Sequence, residues 1–400
     1  MLFASSIFFI IVSFLATTLN TRVLGPQEYG VLTFFITLTE FTALFFNFGF
    51  FHTSSILLAQ AASKSDEQEL TGAFLLIALL IGAGYAFFVF LLGFFVDMIF
   101  HTKINPLLQW FSPFLIVLPM QNLFPQLYRG TNNIKFLAYF KIMPETFYVI
   151  CVLSLVILHL TAQIHIPLLI SLSLLAIGIT VASHAYLLKP RFTNFKINLK
   201  KIWDKNLDYG IHVYWGQISN QPTYNLDKIL ITYFANTTQL GFYFLANCFV
   251  VPMVMLSNSL STSLFKSFTQ KDTIPPKVFQ YNFLWLSSYL VLLLSLNHFA
   301  ISVFFGEKFL PASSLIFPLA FAGFFQGMYQ PYAFLAAKEK GVWIRNVALA
   351  EGAFNIVGNF VLIYFYGAWG AAVASAIAKC ITFTMLSRYY RRYQKELAAK

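Results

Sequence analysis

Charged residues are scarce in this chain of 400 residues, where Asp, Glu, Lys and Arg together supply only 10%. An average soluble domain has roughly 25%. Apolar residues account for 58% of the chain, and Phe alone contributes 48 residues. Because a soluble protein of this length needs a much larger charged surface, the composition argues against a soluble enzyme, a nucleic-acid-binding module and a disordered scaffold. It predicts an integral membrane protein.

Cysteine and catalytic motifs are lacking as well. Cys151, Cys248 and Cys380 all lie in apolar runs and have neither the spacing of metal ligands nor that of a disulfide framework. The chain contains no phosphate-binding loop, dinucleotide fingerprint, His-Glu-x-x-His sequence or nucleophile elbow. We therefore expect no catalytic residues, no metal site and no bound cofactor. Without such motifs, a proton or cation gradient is the remaining candidate for an energy source.

Apolar runs long enough to cross a membrane are abundant. A transmembrane helix needs about 20 mostly apolar residues, and polar or turn-forming segments separate runs of that length. The first run lacks a positively charged start and a cleavage pattern, so we expect a retained helix and not a cleaved signal peptide. The second is expected to bend near Asn47 and Gly49. The twelve predicted spans are 2–20, 31–60, 72–97, 106–128, 137–160, 167–188, 209–234, 240–265, 280–305, 311–336, 344–366 and 368–388.

The basic residues indicate the orientation of these spans. If the N-terminus is cytoplasmic, the inside connections carry 20 Lys and Arg residues and the outside connections carry three, Arg22, Lys103 and Lys308. Cytoplasmic loops of membrane proteins carry such an excess of positive charge, so both termini are predicted to be cytoplasmic. The same distribution argues against nucleic acid as a partner, because the basic residues follow the membrane topology instead of forming one patch.

The longest inside connection separates six predicted spans from six. It is strongly basic, and Phe195, Leu199, Ile202 and Trp203 within it share one helical face. That pattern is typical of a short helix lying among lipid headgroups; an unstructured loop is the alternative. The predicted parts of the chain are an N-terminal lobe (1–188), a basic cytoplasmic linker with this interfacial helix (189–208), a C-terminal lobe (209–388) and a cytoplasmic tail (389–400).

The two predicted lobes repeat each other weakly. The matched positions are Gly30 with Gly241, Pro125 with Pro331 and Glu145 with Glu351, the last two pairs at the same offset of 206 residues. Internal repeats are typical of secondary transporters, whose substrate site lies between the repeats. We therefore predict two pseudo-symmetric six-helix lobes around a central cavity.

Ionisable side chains lie within several predicted spans, where they are costly and usually face a protein interior or a wet cavity. Glu40 and Lys379 are the most isolated, near the middle of their spans, which favours a function for both. Glu145 and Glu351 lie about 10 Å from the inner face at a rise of about 1.5 Å per residue. Lys141 and Glu145 are four residues apart, and mutual neutralisation on one helix face is the alternative for that pair.

The seventh span is the most polar. Asp227 and Lys228 are adjacent, so their side chains point about 100° apart and need separate partners; a structural ion pair with another helix is an alternative for either. A helix this polar cannot face acyl chains, because its side chains would lack hydrogen-bond partners. We expect it to line a cavity, and its candidates for substrate contact are Gln217, Asn220, Gln221 and Tyr224.

Short motifs along nearly the whole chain resemble one family. The segment Arg-Val-Leu-Gly-Pro-Gln-Glu-Tyr-Gly at 22–30 is similar to the start of the polysaccharide-transporter (Wzx-type) flippases of the MOP exporter superfamily. The segment before the first span is shorter than these proteins commonly have, which leaves the start of that span open. Weaker similarities are Leu-Asp-Lys-Ile-Leu at 226–230, Gly-Phe-Tyr at 241–243, Phe-Gly-Glu-Lys-Phe at 305–309 and Tyr-Gly-Ala-Trp-Gly at 366–370.

The resemblance implies a MATE-like all-α fold in the bacterial cytoplasmic (inner) membrane. It also implies a function as a flippase that moves undecaprenyl-diphosphate-linked oligosaccharide units from the inner to the outer leaflet by alternating access, for assembly of a surface polysaccharide of the O-antigen or capsule type. The expected partners are this polyprenyl-diphosphate-linked glycan, membrane lipid, and polysaccharide polymerase and chain-length machinery.

Two other functions remain open at this point. One is a drug or cation antiporter of the same superfamily, which the cations within the spans argue against. The other is a membrane-embedded polysaccharide polymerase or ligase, which the short outside connections argue against.

Roles for the polar residues in flipping follow from their charge and depth. We expect the cations Arg22, Lys228 and Lys379 to attract the diphosphate, whereas the amide and hydroxyl side chains of the seventh span contact sugar. The candidates for ion or proton coupling are Glu40, Glu145, Asp227 and Glu351.

Overall fold

The structure, a computed structural model, is built of helices. It describes residues 2–398, apart from the side chains of residues 2–4, 219–224 and 266. No strand occurs in this part of the chain. The helices of the first half are α1 (Leu2–Ala43), α2 (Phe50–Ala59), α3 (Lys64–Phe100), α4 (Asn105–Phe111), α5 (Val117–Gly130), α6 (Ile134–Ile157) and α7 (Ile166–Leu187). Those of the second half are α8 (Phe195–Lys205), α9 (Ile211–Phe234), α10 (Thr237–Gln270), α11 (Pro276–Phe304), α12 (Ser313–Tyr329), α13 (Ala333–Ala337) and α14 (Gly341–Ala398).

Polar residues between the apolar runs act as helix caps. The Ser63 hydroxyl accepts a hydrogen bond from the backbone N–H of Asp66 at 3.2 Å at the start of α3. Asn133 and Asn236 cap α6 and α10 in the same way. The first N–H groups of a helix have no partner within it, and a capping side chain supplies one. This explains why the polar separators in the sequence coincide with helix boundaries.

The number of helical segments can be compared with the predicted number of spans. Nine helical stretches within the described residues are long and apolar enough to cross a membrane. Two of them are broken at glycines, Gly25 (φ 73°) in α1 and Gly367 (φ 56°) in α14. Helix α9 adds a segment of 24 residues that is more polar than the nine. Each of the twelve predicted spans therefore coincides with a helical segment, which confirms an all-α, multi-pass membrane protein.

The predicted bend in the second span is also confirmed. A 3₁₀ turn over Leu44–Asn47 follows α1, and Phe48 and Gly49 then adopt left-handed backbone angles, with φ of 46° and 85°. Helix α2 starts at the next residue. The bend needs glycine, because a Cβ atom on Gly49 would lie 2.4 Å from the carbonyl carbon of Gly210 and positive φ disfavours other residues.

Contacts within the chain divide it into two compact units. The first unit takes in the linker and the first part of α9, whereas the predicted lobes are divided at residues 188 and 209. The difference has a local cause, since α8 packs on the core of the first unit. Similarly, Gly30 packs against the start of α10 in the second unit. The first unit is Met1–Leu24 with Val31–Asn225, and the second is Gly25–Gly30 with Leu226–Lys400.

The linker helix α8 is part of the first unit's core. Its Ile202 is fully buried, and Phe195 and Leu199 pack against the same apolar cluster, which also contains residues of α2, α3, α5, α6 and α7. Trp203 differs from the prediction that it shares this face, because it is 52% exposed, although its ring lies 6.0 Å from that of Phe50. Only three of the four predicted apolar residues therefore form the buried face.

Small residues bring the two halves of α14 together in the second unit. The break at Gly367 lets the second half run back along the first, and Gly370, Ala374 and Ala378 on that second half are buried. A Cβ atom on Gly370 would lie 1.9 Å from the carbonyl oxygen of Leu362. Small residues at helix interfaces permit this close approach of two backbones.

Candidate functional site

A buried ion pair joins the two halves of α14. The Lys379 ammonium lies 2.6 Å from Oε1 of Glu351, and the Thr382 hydroxyl donates a hydrogen bond to Oε2 at 2.9 Å. The two charged side chains are only 11% and 13% exposed. The description of Lys379 as isolated is therefore wrong. It was wrong because the break at Gly367 places both residues at similar distances from the turn, about 18 and 24 Å along the helix.

Two asparagines continue this polar face of α14. Asn355 and Asn359 follow Glu351 at intervals of four residues, so the three side chains share one side of the helix. Asn359 is fully buried, and its amide donates to Oδ1 of Asn355 at 2.9 Å. The Oδ1 atom of Asn359 has no hydrogen-bond partner among the described residues. The face thus combines an ion pair with a free amide acceptor.

Asp227 and Lys228 have separate partners, as their adjacent positions predicted. The Asp227 carboxylate is buried and accepts a hydrogen bond from the Tyr243 hydroxyl at 2.6 Å. The Lys228 ammonium lies 5.8 Å from the centroid of the Phe244 ring, a distance at which a cation and an aromatic face attract each other. Helix α10 thus supplies a partner for each residue.

Glu145 interacts with residues of α1 in the first unit. The Glu145 carboxylate accepts a hydrogen bond from the Ser13 hydroxyl and lies within electrostatic range of the Glu40 carboxylate. Lys141 instead donates to the Ser6 hydroxyl at 3.0 Å and lies 5.5 Å from the Phe9 ring. Neutralisation of Glu145 by Lys141 is therefore not supported.

Among the remaining candidates, the side chains of Gln217 and Arg22 are described, whereas those of three others on α9 are not. The Oε1 atom of Gln217 accepts a hydrogen bond from Nε2 of His52 in α2 at 2.9 Å, and both side chains are half-buried. Arg22 is exposed on α1. The other polar candidates on α9 lie outside the residues whose side chains are described: Asn220, Gln221 and Tyr224.

An irregular joint precedes this polar helix. It consists of the π-helical turn Asn206–Gly210 and the bend at Phe48 and Gly49, which pack against each other. The Asn206 amide donates to the carbonyl oxygen of Phe48 at 3.1 Å, and its Oδ1 accepts from the Thr53 hydroxyl at 3.1 Å. Non-helical backbone is tolerated within a membrane only where protein or water satisfies its polar groups. Asn206 performs that role here.

We expect Asn206→Ala to destabilise the protein by about 1–3 kcal/mol, because it removes the amide donor to the Phe48 carbonyl and one of the two acceptors of the Thr53 hydroxyl. Asn258→Ala is the matched control: the Asn258 side chain is exposed on α10, so its removal should cost within about 0.5 kcal/mol. Thermal unfolding of the purified variants in detergent measures both. Equal melting temperatures for the two variants would show that the joint does not depend on Asn206.

Comparison with known proteins now identifies the family. Residues 1–270 match the family model described as "Polysaccharide biosynthesis protein". The chain belongs to this family. The match includes segment 22–30, which carries most of the resemblance in the sequence. It covers the helices from α1 to α10. No curated protein sequence matches the chain.

Solved structures share the fold of this family member. A lipid II flippase MurJ in an inward-closed conformation is similar with a TM-score of 0.68 and 17% identity, covering 98% of this chain and 87% of that one. An inward-facing multidrug resistance MATE family transporter of the MOP superfamily gives a TM-score of 0.69 and 13% identity, covering 96% of each chain. A MOP superfamily transporter from Pyrococcus furiosus gives 0.54 and 12%, covering 98% and 97%. The MATE-like fold is thus confirmed.

Several partners of the candidate residues were missed in the sequence. Tyr243, Thr382, Ser13 and His52 all bond to predicted residues, yet each is an ordinary polar residue within an apolar run. A signal existed for Thr382, which follows Lys379 by three residues and so lies on the same helix face. The others are contributed by different helices, and neither spacing nor composition indicates which helices are neighbours.

Proposed function

We propose that this family member is a flippase that moves undecaprenyl-diphosphate-linked oligosaccharide units from the inner to the outer leaflet of the bacterial cytoplasmic membrane, for assembly of a surface polysaccharide. It would act by alternating access as a secondary transporter and not as an enzyme. The supporting observation is the pair of cationic side chains, Lys379 and Lys228, held within spans of a polysaccharide biosynthesis protein.

The physical problem of this reaction accounts for such residues. A glycan and a diphosphate must pass a hydrocarbon barrier of about 30 Å, whereas the polyprenyl tail can remain in lipid throughout. Ionisable groups within spans are costly and seldom occur without a role. Cations there would lower the cost of moving a diphosphate, and amide groups such as that of Gln217 would replace water around sugar hydroxyls.

The ion pair changes the role expected for one cation. Lys379 can meet a diphosphate only by leaving or sharing Glu351, so substrate binding and rearrangement of the pair would be linked. Glu351 released in this way could take up a proton or a cation, which would couple transport to a gradient. Arg22 and Lys228 would attract the diphosphate by charge. Glu40, Glu145 and Asp227 remain the other coupling candidates.

A leaflet-resolved flipping assay tests this proposal. Purified protein in proteoliposomes receives an undecaprenyl-diphosphate-linked oligosaccharide, and the glycan that becomes accessible outside is measured with and without a pH gradient. We expect protein-dependent flipping that increases with the gradient. An undecaprenyl phosphate lacking the sugar serves as the substrate control and should move far more slowly.

The MATE-like fold also supports a second candidate, a drug or cation antiporter. Under that function, overexpression would raise drug resistance without a change in surface glycan, and the flipping assay would show no glycan movement. Elongation of glycan by the purified protein would instead indicate a polymerase or ligase. These outcomes separate the three functions.

A further inference from the structure

The exposed side of α8 carries features that its role in the core does not explain. Ile202 on the buried face fixes the helix to the first unit. Two further polar contacts hold the helix and the segment before it. Arg191 donates to the Ser65 hydroxyl at 3.0 Å, and Lys201 lies 3.6 Å from the Asp66 carboxylate. The exposed side is therefore held at a fixed place near the start of α3.

Two lysines and a tryptophan lie together on this exposed side. Lys196, Lys200 and Trp203 follow each other at intervals of four and three residues, which places them on one stripe of the helix. All three are exposed. We refer to them as the α8 stripe. A shallow surface depression beside it is lined by Lys196, Ile197, Lys200, Lys201 and Asp204.

The two lysines of the stripe differ from their neighbours in charge pairing. Lys201 pairs with Asp66, and Lys205 lies 3.0 Å from the Asp208 carboxylate. Among the ion pairs of the described residues, none involves Lys196 or Lys200. Their charges are thus available to an external anion at the inside end of the unit.

The stripe combines two basic side chains with an aromatic one. Its Trp203 ring lies 6.0 Å from that of Phe50 at the start of α2. Lys201, between Lys200 and Trp203, pairs with Asp66 at the start of α3, the predicted inside end of that helix. Tryptophan is enriched at the membrane interface, and lysine side chains reach from it to the headgroups.

We propose that the α8 stripe binds the headgroups of anionic phospholipids of the surrounding bilayer. Lys196 and Lys200 contact the phosphate, and Trp203 packs on the adjacent glycerol and acyl region. The anionic inner leaflet attracts membrane-proximal lysines individually, and two lysines at a fixed spacing add selectivity for acidic over zwitterionic lipid. This binding is separate from the transport of a glycan lipid and does not depend on it.

Quenching by brominated lipids tests this proposal on the full-length protein. The chain is placed in nanodiscs with brominated phosphatidylglycerol or brominated phosphatidylcholine, and the contribution of Trp203 is obtained by subtracting the signal of Trp203→Phe. We expect half-maximal quenching at an about tenfold lower content of phosphatidylglycerol than of phosphatidylcholine. The double variant Lys196→Gln/Lys200→Gln should quench equally with both lipids.

The matched control removes the same charge elsewhere. Lys271→Gln/Lys277→Gln deletes two exposed lysines of another predicted inside connection and should retain the preference for phosphatidylglycerol. Equal quenching of Trp203 by both lipids in the unsubstituted protein would overturn the proposal, and so would an equal loss in the two double variants. Loss of the preference on adding undecaprenyl diphosphate would assign the stripe to the transported lipid and would overturn it too. Melting temperatures of both double variants verify folding.

Discussion

Replacing Lys379 with Met should destabilise the protein by about 3–5 kcal/mol, because it leaves the Glu351 carboxylate buried without its cation. The reverse change, Glu351→Gln, should cost a similar amount by isolating the Lys379 ammonium. The double variant Lys379→Met/Glu351→Gln should recover most of the loss, since a neutral pair of similar volume leaves no unpaired buried charge. The effect depends on the low exposure of both side chains, 11% and 13%.

Thermal unfolding of the four proteins in detergent provides the measurement. A shift on the order of 10 °C is expected for each single variant, and a much smaller one for the double variant. Lys64→Met is the matched control, since the Lys64 side chain is 74% exposed beside Glu67 and such pairs contribute little. Single variants as stable as Lys64→Met, or a double variant whose loss equals the sum of the single losses, would contradict this account of the pair.

Gly30→Ala should strongly destabilise the protein. A Cβ atom at residue 30 would lie 2.2 Å from the carbonyl oxygen of Thr237, at the start of α10, and backbone atoms there cannot move aside as a side chain could. Overpacking of this kind typically costs about 1–3 kcal/mol and sometimes more; we expect about 3 kcal/mol or more. Gly30 also contacts Gly241, whose own Cβ would lie 3.1 Å from the Gly30 Cα.

A helical glycine without neighbours gives the control. Gly84 in α3 has no atom within 4 Å of the position of its Cβ, so Gly84→Ala should be neutral or stabilise the protein by up to about 1 kcal/mol. The yield of folded protein and the melting temperature in detergent measure both variants. If Gly30→Ala melted at or above the temperature of Gly84→Ala, the close packing at Gly30 would be refuted.

The helices and their breaks could be predicted from sequence patterns, because each depends on residues close together in the chain. The length of an apolar run determines whether it can span the membrane, and Asn47 and Gly49 marked a bend that needs glycine. The polarity of the seventh span likewise identified α9, which an apolar criterion alone leaves out. Gly30 and Gly241, matched in the sequence only as repeat positions, also lie in contact.

Partners of the buried charges could not be predicted, because they come from segments that the sequence does not show to be neighbours. Lys379 seemed isolated until the turn at Gly367 was seen to place it beside Glu351. The pairing of Asp227 with Tyr243 depends on the neighbouring helix α10 in the same way. The charged residues themselves were identified correctly as unusual, since their cost in a membrane does not depend on which partner satisfies them.

Flipping by the double variant Lys379→Met/Glu351→Gln is the most direct measurement of the central claim, that buried charge in these spans serves the passage of a lipid-linked glycan. The variant lacks both charges and is expected to keep the fold, which its melting temperature verifies, so that a defect is not attributed to unfolding. We predict at least a tenfold slower appearance of glycan in the outer leaflet of proteoliposomes, corresponding to about 1.4 kcal/mol. A double variant that folds normally and flips the glycan lipid at the unsubstituted rate would contradict the account.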